Sequence, residues 1–101
     1  MNIQKLMKQA QQAQAQMAAV QQELAVETVQ ASAGGGMVKV VMTCDRNLRE
    51  ILIDPDAVDP AEVELLQDMI LAAVNEASRV AEETAAAKMD EVTGGLNLPG
   101  L

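Results

Sequence analysis

The first quarter of the chain carries an apolar or small residue at every third or fourth position. Seven such positions lie between residues 3 and 24: Ile3, Leu6, Ala10, Ala13, Met17, Val20 and Leu24. The spacings alternate between three and four, which is a heptad repeat and predicts a long amphipathic helix over residues 3–24. Because the middle of this seam is alanine, a partner helix could approach it closely.

The pattern then changes to short β-branched segments separated by turn residues. Strands are predicted over about 26–31, 37–44 and 48–54. The glycine triplet 34–36 is more typical of a hairpin turn than of a phosphate-binding loop, because it lacks the Gly-Lys-Ser/Thr ending. Three strands joined by short turns predict an antiparallel meander with one covered face.

A second helix is predicted over about 60–91. Asp59 suits its N-cap and Pro60 suits its first turn. Its apolar stripe again has heptad spacing, at Leu66, Ile70, Ala73, Ala77, Val80, Thr84 and Ala87. Gly94-Gly95 predicts its end, and residues 94–101 are expected to form a flexible tail. The order is α-β-β-β-α, an α+β fold in a single domain over residues 1–101.

Such a protomer has surfaces that it cannot cover alone. A three-stranded sheet has free edges, and a chain of 101 residues buries a limited core. Pairing with a second copy would resolve both problems, so we expect a homodimer. Either heptad seam could lie within one chain or between subunits, and the pattern does not separate the two.

Composition argues against an enzyme. The chain has no histidine, which removes the commonest general base and metal ligand. Its one cysteine, Cys44, fits a reducing cytoplasm and is expected to be a buried strand residue. The acids between Asp54 and Glu64 lack the central glycine of a calcium loop, so helix capping and solubility explain them better. We therefore expect no cofactor and no metal. We also expect no membrane span, since no apolar run approaches about 18 residues.

Charge is divided unevenly along the chain. The net charge is −8, of which residues 1–52 contribute +1 and residues 53–101 contribute −9. No acidic residue precedes Glu23. If the protein binds a polyanion, the first half is therefore the side that does so.

Lys5 and Lys8 are the cations of this acid-free segment. They lie three residues apart on the predicted helix, where they could contact phosphates or could simply keep an apolar helix soluble. Gln4, Gln9 and Gln12 could add neutral hydrogen bonds. Arg46, in the predicted turn 45–47, is a further candidate, although pairing with Asp45 or Glu50, or a place as an edge charge, explains it better.

Several short motifs along the chain, taken together and in this order, resemble the YbaB/EbfC family. They are Leu6-Met7-Lys8-Gln9-Ala10-Gln11-Gln12, Gly36-Met37-Val38-Lys39-Val40, Ile53-Asp54-Pro55, the run Asp-Met-Ile-Leu-Ala-Ala-Val-Asn-Glu-Ala from Asp68, Glu82-Glu83, Lys88-Met89 and the segment from Gly94 to Gly100. Each motif alone is weak, but their combination covers nearly the whole chain.

The resemblance implies a tweezer-like homodimer that binds duplex DNA with little sequence preference, in the cytoplasmic nucleoid of a bacterium. It implies a role in nucleoid organisation or gene expression. The residues predicted to contact the DNA are Lys5, Lys8, Gln4, Gln9, Gln12 and Arg46. It also suggests replication or recombination proteins as partners. The alternative is an acidic protein-interaction or scaffold module associated with such proteins, because a charge of −8 per chain repels DNA at long range.

Overall fold

The computed structural model confirms the predicted α-β-β-β-α order. It describes residues 2–96, with side chains up to residue 94. The elements are α1 (Ile3–Val26), β1 (Thr28–Ala33), β2 (Val38–Thr43), β3 (Leu48–Ile53), two single-turn 3-10 helices (Pro55–Ala57 and Pro60–Glu62) and α2 (Val63–Leu96). The strands form one antiparallel sheet in the order β1-β2-β3.

Some boundaries differ from those predicted. β1 begins at Thr28 because α1 continues to Val26, two residues beyond its last seam position. The residues from Pro60 to Glu62 form a 3-10 turn capped by the Asp59 carboxylate, and the α-helix proper starts at Val63. Gly94-Gly95 does not end α2, which runs to Leu96. The rest of the predicted tail, residues 97–101, lies outside the described residues.

The main core lies between α2 and one face of the sheet. Val38, Val40 and Met42 of β2 alternate toward the helix, since successive strand residues point to opposite faces. Ala73 and Ala77 of α2 pack against them and are fully buried. Small alanine side chains let the helix backbone lie close to the sheet, which suits the β-branched residues beneath it.

The buried stripe of α2 departs from the predicted heptad in its second half. The buried alanines are Ala73, Ala77 and Ala81, four residues apart, whereas Ala87 of the predicted stripe is exposed. A straight α-helix has 3.6 residues per turn, so a contact line against a flat partner drifts away from a strict seven-residue repeat. Val80 and Thr84 are only half-buried at its flank.

Two turns position the strands. The glycine triplet joins β1 to β2 with φ of 63°, 67° and 92°, as expected for a hairpin turn. At Gly34 a side chain would also collide with the Sδ atom of Met69 on α2. Arg46 has a φ of 69° in the β2–β3 turn, where Asn47 N donates to the Thr43 hydroxyl at 2.9 Å.

The outer strand β3 is exposed on both faces. α2 lies over β1 and β2, which leaves β3 at the edge. Cross-strand pairing places Ile51 opposite Val40 and Ile53 opposite Val38, so both isoleucines point to the side that α2 covers elsewhere. The four apolar side chains of this strand are between 38% and 47% exposed; they are Leu48, Ile51, Leu52 and Ile53.

Helix α1 is anchored only near its C-terminal end. Val20 and Leu24 pack with Cys44, Met89 and other residues in a second apolar cluster. Residues 3–19, which we name the α1 arm, are exposed except at Ala13, which is half-buried. The described chain is accordingly elongated, 71 Å by 21 Å by 16 Å. None of its helices is both long and apolar enough to serve as a membrane span.

Candidate nucleic-acid interface

The outer face of the α1 arm is built from the polar residues of the first helix. At about 100° per residue, the five residues Gln4, Lys5, Lys8, Gln9 and Gln12 fall within an arc of about 140° on an ideal helix. All five are exposed. The apolar seam, which at its lower end faces α2, is centred about 140° away around the helix. The structure therefore brings the five predicted helix residues together on one exposed face of the arm.

The helix start adds to the positive character of this face. Asn2 is the N-cap, and its side-chain oxygen accepts a hydrogen bond from Lys5 N at 3.2 Å. The first turn contains no acidic residue. The positive end of the helix dipole is thus uncompensated and lies beside Lys5 and Lys8, an arrangement that favours anions.

Arg46 does not join this group within one protomer. The β2–β3 turn docks at the opposite end of α1, where Asp45 N donates to Leu24 O at 3.1 Å. Lys5 lies about 28 Å further along the helix, at 1.5 Å per residue. Arg46 is exposed, but it sits at the base of the arm and not at its tip.

The remaining cations are either on other surfaces or already paired. Lys39 is exposed on the sheet face opposite α2, since its neighbours Val38 and Val40 face the helix. The Arg49 guanidinium donates to Ala25 O at 3.5 Å. Arg79 forms ion pairs within α2, and the proximity of two carboxylates raises its pKa. Within the described part of the chain, Lys5 and Lys8 make no ion pair.

Sequence reasoning missed one group at the base of the arm. Lys88 of α2 lies between two carboxylates at the end of α1, with Nζ 2.8 Å from Glu27 Oε2 and 3.3 Å from Glu23 Oε2. The Cys44 thiol donates to the same Glu27 oxygen at 3.7 Å. We name these three charged residues, Lys88, Glu23 and Glu27, the clamp. More than 60 residues separate Lys88 from its partners, so spacing could not reveal it.

The ionisation of these groups follows from their contacts. The hydrogen bond from Lys88 lowers the pKa of Glu27, and the same bond raises the pKa of Lys88. Burial raises the pKa of the Cys44 thiol, and the Glu27 carboxylate raises it further. Cys44 is buried, as predicted, although it lies just after β2 and not within it. An un-ionised buried thiol is a poor nucleophile.

The acidic residues lie mainly on another part of the surface. Seven exposed acids are carried by α2: Glu64, Asp68, Glu76, Glu82, Glu83, Asp90 and Glu91. None of the described residues forms a cluster suited to a metal ion. The geometry therefore separates a weakly basic, glutamine-rich arm from an acidic helix, and offers no assembled catalytic or metal-binding group among those residues.

The sequence pattern that defines the YbaB/EbfC DNA-binding family matches residues 1–96 of the chain. The chain belongs to the YbaB/EbfC DNA-binding family. This match spans both helices and the whole sheet, so the arm, the sheet and the clamp all lie within the family domain. The expectation drawn from the short motifs is confirmed.

Individual relatives are similar over almost their full length. A protein from Akkermansia muciniphila named "Nucleoid-associated protein" is 52% identical over 99 residues, covering 98% of this chain and 95% of the relative. A protein of the same name from Acetivibrio thermocellus is 55% identical over 101 residues, covering 99% and 89%. This YbaB/EbfC chain is thus similar to nucleoid-associated proteins from two bacterial species.

A solved structure supports the fold of this YbaB/EbfC protein. The crystal structure of an uncharacterized protein from Helicobacter pylori superposes with a TM-score of 0.80, covering 92% of this chain and 98% of that one. The two sequences are 18% identical, so this likeness concerns the fold alone.

Proposed function

We propose that this protein is a nucleoid-associated protein that binds duplex DNA as a homodimer, with little sequence preference and without enzymatic activity. The observation that carries the proposal is the outer face of the α1 arm in a member of a DNA-binding family. This face combines Lys5 and Lys8 with exposed glutamines and a helix N-terminus. Cations and amide groups of this kind contact phosphate and sugar, which fixes position without reading sequence.

The homodimer is supported by the uncovered side of β3. Ile51 and Ile53 are exposed in the protomer and continue the apolar layer formed by Val38 and Val40. Edge strands with exposed apolar residues are rare in stable monomers because they recruit other strands. A second copy on this side would cover the isoleucines and leave both arms projecting outward.

Two arms in one dimer should bind DNA more tightly than one arm does. One protomer offers two lysines on its arm, which is a small number of phosphate contacts. A dimer offers four, and binding of the second arm becomes intramolecular once the first is bound. Four contacts imply a slope of about −3.6 in a plot of log affinity against log salt, or about 150-fold weaker binding between 50 and 200 mM salt.

The direct test is a fluorescence anisotropy titration of two unrelated DNA duplexes at these two salt concentrations. The proposal expects similar binding to both duplexes and a loss of about two orders of magnitude at the higher salt. Sedimentation velocity on the same samples should give a dimer. A folded dimer that binds neither duplex at 50 mM salt would refute the proposal.

The acidic surface of α2 favours a second candidate function. A helix with seven exposed acids repels DNA and could instead dock a basic surface of a replication or recombination protein. The scaffold function predicts that such proteins are captured from a lysate after nuclease treatment. It also predicts that charge reversal on α2, and not on the arm, abolishes capture.

A further inference from the structure

We propose that Lys88 is a positioning residue, which holds the α1 arm in its DNA-binding orientation by bridging Glu23 and Glu27. The inference rests on the proposed function of the arm. Lys88 itself lies far from the arm tip and contacts no residue that we assign to DNA. It acts through the helix that it holds.

The clamp adds resistance to rotation and tilt of α1, which the apolar contacts at the base of this helix lack. Val20 and Leu24 are the buried residues of α1, and both lie on one line along the helix. A single line of apolar contact resists separation better than it resists rolling or tilting. Glu23 lies on the flank of that line, at about 100° from Leu24 on an ideal helix, and Glu27 follows one turn later as the C-cap residue of α1. Bonds from Lys88 to both therefore oppose rotation of the helix about its axis as well as tilt.

Rotation and tilt matter because the arm is long. Lys5 lies 18 residues from Glu23, which is five complete turns and about 27 Å along the helix. The two side chains consequently lie on the same side of α1. A tilt of about 10° at the clamp would move Lys5 by about 5 Å on such a lever, more than the rise of about 3.4 Å per phosphate along one DNA strand.

Charge neutralisation by Lys88 is a competing explanation of any effect on DNA. Without Lys88, two carboxylates on the same side as Lys5 would be unpaired. However, Glu23 lies about 27 Å and Glu27 about 33 Å from Lys5 along the helix axis, which is about three to four Debye lengths at physiological salt. At that distance their field is screened, so orientation and not charge should dominate.

Two variants separate these explanations because they break the same bridge with opposite changes in charge. Lys88→Met removes one positive charge, whereas the double variant Glu23→Gln/Glu27→Gln removes two negative charges. A charge effect weakens DNA binding in the first variant and strengthens it in the second. Loss of positioning weakens binding in both, by about three- to tenfold, because a mobile element must then be ordered on binding.

The matched control is Arg79→Met. Like Lys88, Arg79 is a cation on α2 that pairs with two carboxylates, but its partners Glu76 and Glu83 are on the same helix. It carries the same charge change as Lys88→Met without touching α1. Its DNA affinity at 150 mM salt should stay within about twofold of wild type, since surface ion pairs of this kind contribute little.

Arm orientation can be measured without DNA. Nitroxide labels at Gln11 of α1 and Glu82 of α2, both exposed, report the angle between the helices by double electron–electron resonance. Cys44→Ala is used in every sample, and labelled chains are diluted with unlabelled protein so that distances between copies do not contribute. The distance distribution should be narrow with the clamp intact and broader in both clamp variants.

The outcomes decide between the alternatives. Broader distances and weaker binding in both clamp variants support the positioning role. Unchanged distances overturn it, as do broader distances with unchanged affinity, or affinities that move in opposite directions. If the intact protein binds no DNA in the same titration, the proposed function itself fails, and this is visible before any variant is compared.

Discussion

The double variant Lys5→Gln/Lys8→Gln tests the α1 arm directly. Glutamine is chosen because it already fills the neighbouring positions of this face and favours helix nearly as well as lysine. Both side chains are exposed and make no described ion pair, so stability should change by less than about 0.5 kcal/mol. The variant therefore removes charge from the arm while leaving the fold and the clamp intact.

The expected effect follows from the number of phosphate contacts. Four lysines in a dimer correspond to a salt slope of about −3.6, and removing them should bring the slope close to zero. The same contacts account for about 150-fold of affinity between 50 and 200 mM salt, so the variant should bind at least about 100-fold more weakly at 50 mM. Anisotropy titrations at several salt concentrations measure both quantities.

The control variant is Lys39→Gln/Arg79→Gln, which removes the same charge from outside the arm. Lys39 is exposed on the open sheet face and Arg79 on the outer side of α2. This control should keep a slope near that of wild type. An arm variant whose slope equals that of wild type would refute the assignment, and a control that loses as much slope as the arm variant would show that net charge alone matters.

Four further predictions concern assembly and stability. Ile51→Asp should give monomers in sedimentation velocity, and a persistent dimer would exclude this side of β3 as the interface. Gly34→Ala should lower the free energy of unfolding in urea more than Gly35→Ala does. Both glycines have positive φ, which costs an alanine about 1–2 kcal/mol, but only at Gly34 would the new methyl group also collide with a methionine side chain. Equal losses would contradict this. Ala77→Leu should destabilise by about 1–3 kcal/mol through overpacking, visible in thermal unfolding, and an unchanged Tm would be inconsistent with the buried position. Glu27 has a lowered folded-state pKa, so its contribution is present above the ordinary value of 4.5 and is lost as pH falls through the folded value; the stability difference between wild type and Glu27→Gln should shrink from pH 6 to pH 3, and a constant difference would argue against the ion pair.

The elements of this fold were accessible from sequence because each has a strong local signal. The heptad spacing of α1, the glycine triplet and the Asp59-Pro60 start all depend on neighbouring residues only. The predicted end of α2 was wrong because Gly94-Gly95 is tolerated in the last helical turn, where the preceding helix continues through the two glycines. Helix and strand order thus follow from local physics, whereas exact ends do not.

The buried face of α2 required knowledge of its partner. The sequence from Ala85 to Ala87 is a run of three alanines, so hydrophobicity does not choose among registers there. In the structure Ala85 is the alanine that packs in the cluster with Val20 and Leu24 of α1. The same packing brings Lys88 beside Glu23. Long-range packing of this kind has no signature in residue spacing.

The candidate site, like the fold, has one part that follows from local sequence and one part that depends on long-range packing. Helical periodicity alone places Lys5, Lys8 and the glutamines on one face, and the structure agrees. The distance between Arg46 and that face depends on how the β2–β3 turn docks at the end of α1, which sequence does not give. Arg46 can therefore contribute to DNA binding only where the duplex extends to the base of an arm.

The same separation of surfaces explains how a chain of net charge −8 can bind a polyanion at all. Exposed charges interact over roughly one Debye length, about 8 Å at physiological salt, so the total charge is less important than the charge near the contact. The acids at the C-terminal end of α1, Glu23 and its C-cap Glu27, lie about 27 Å and about 33 Å from Lys5 along the helix axis, and Lys88 pairs with both of them. The arm tip therefore presents a local excess of positive charge, while the acidic α2 limits how closely DNA can approach the body of the protein. Lowering the salt to about 10 mM extends the screening length to about 30 Å, so affinity should stop rising there as the acids of α2 begin to repel the duplex. A titration that continues to strengthen linearly down to 10 mM salt would mean that the acidic surface is farther from the DNA than this geometry places it.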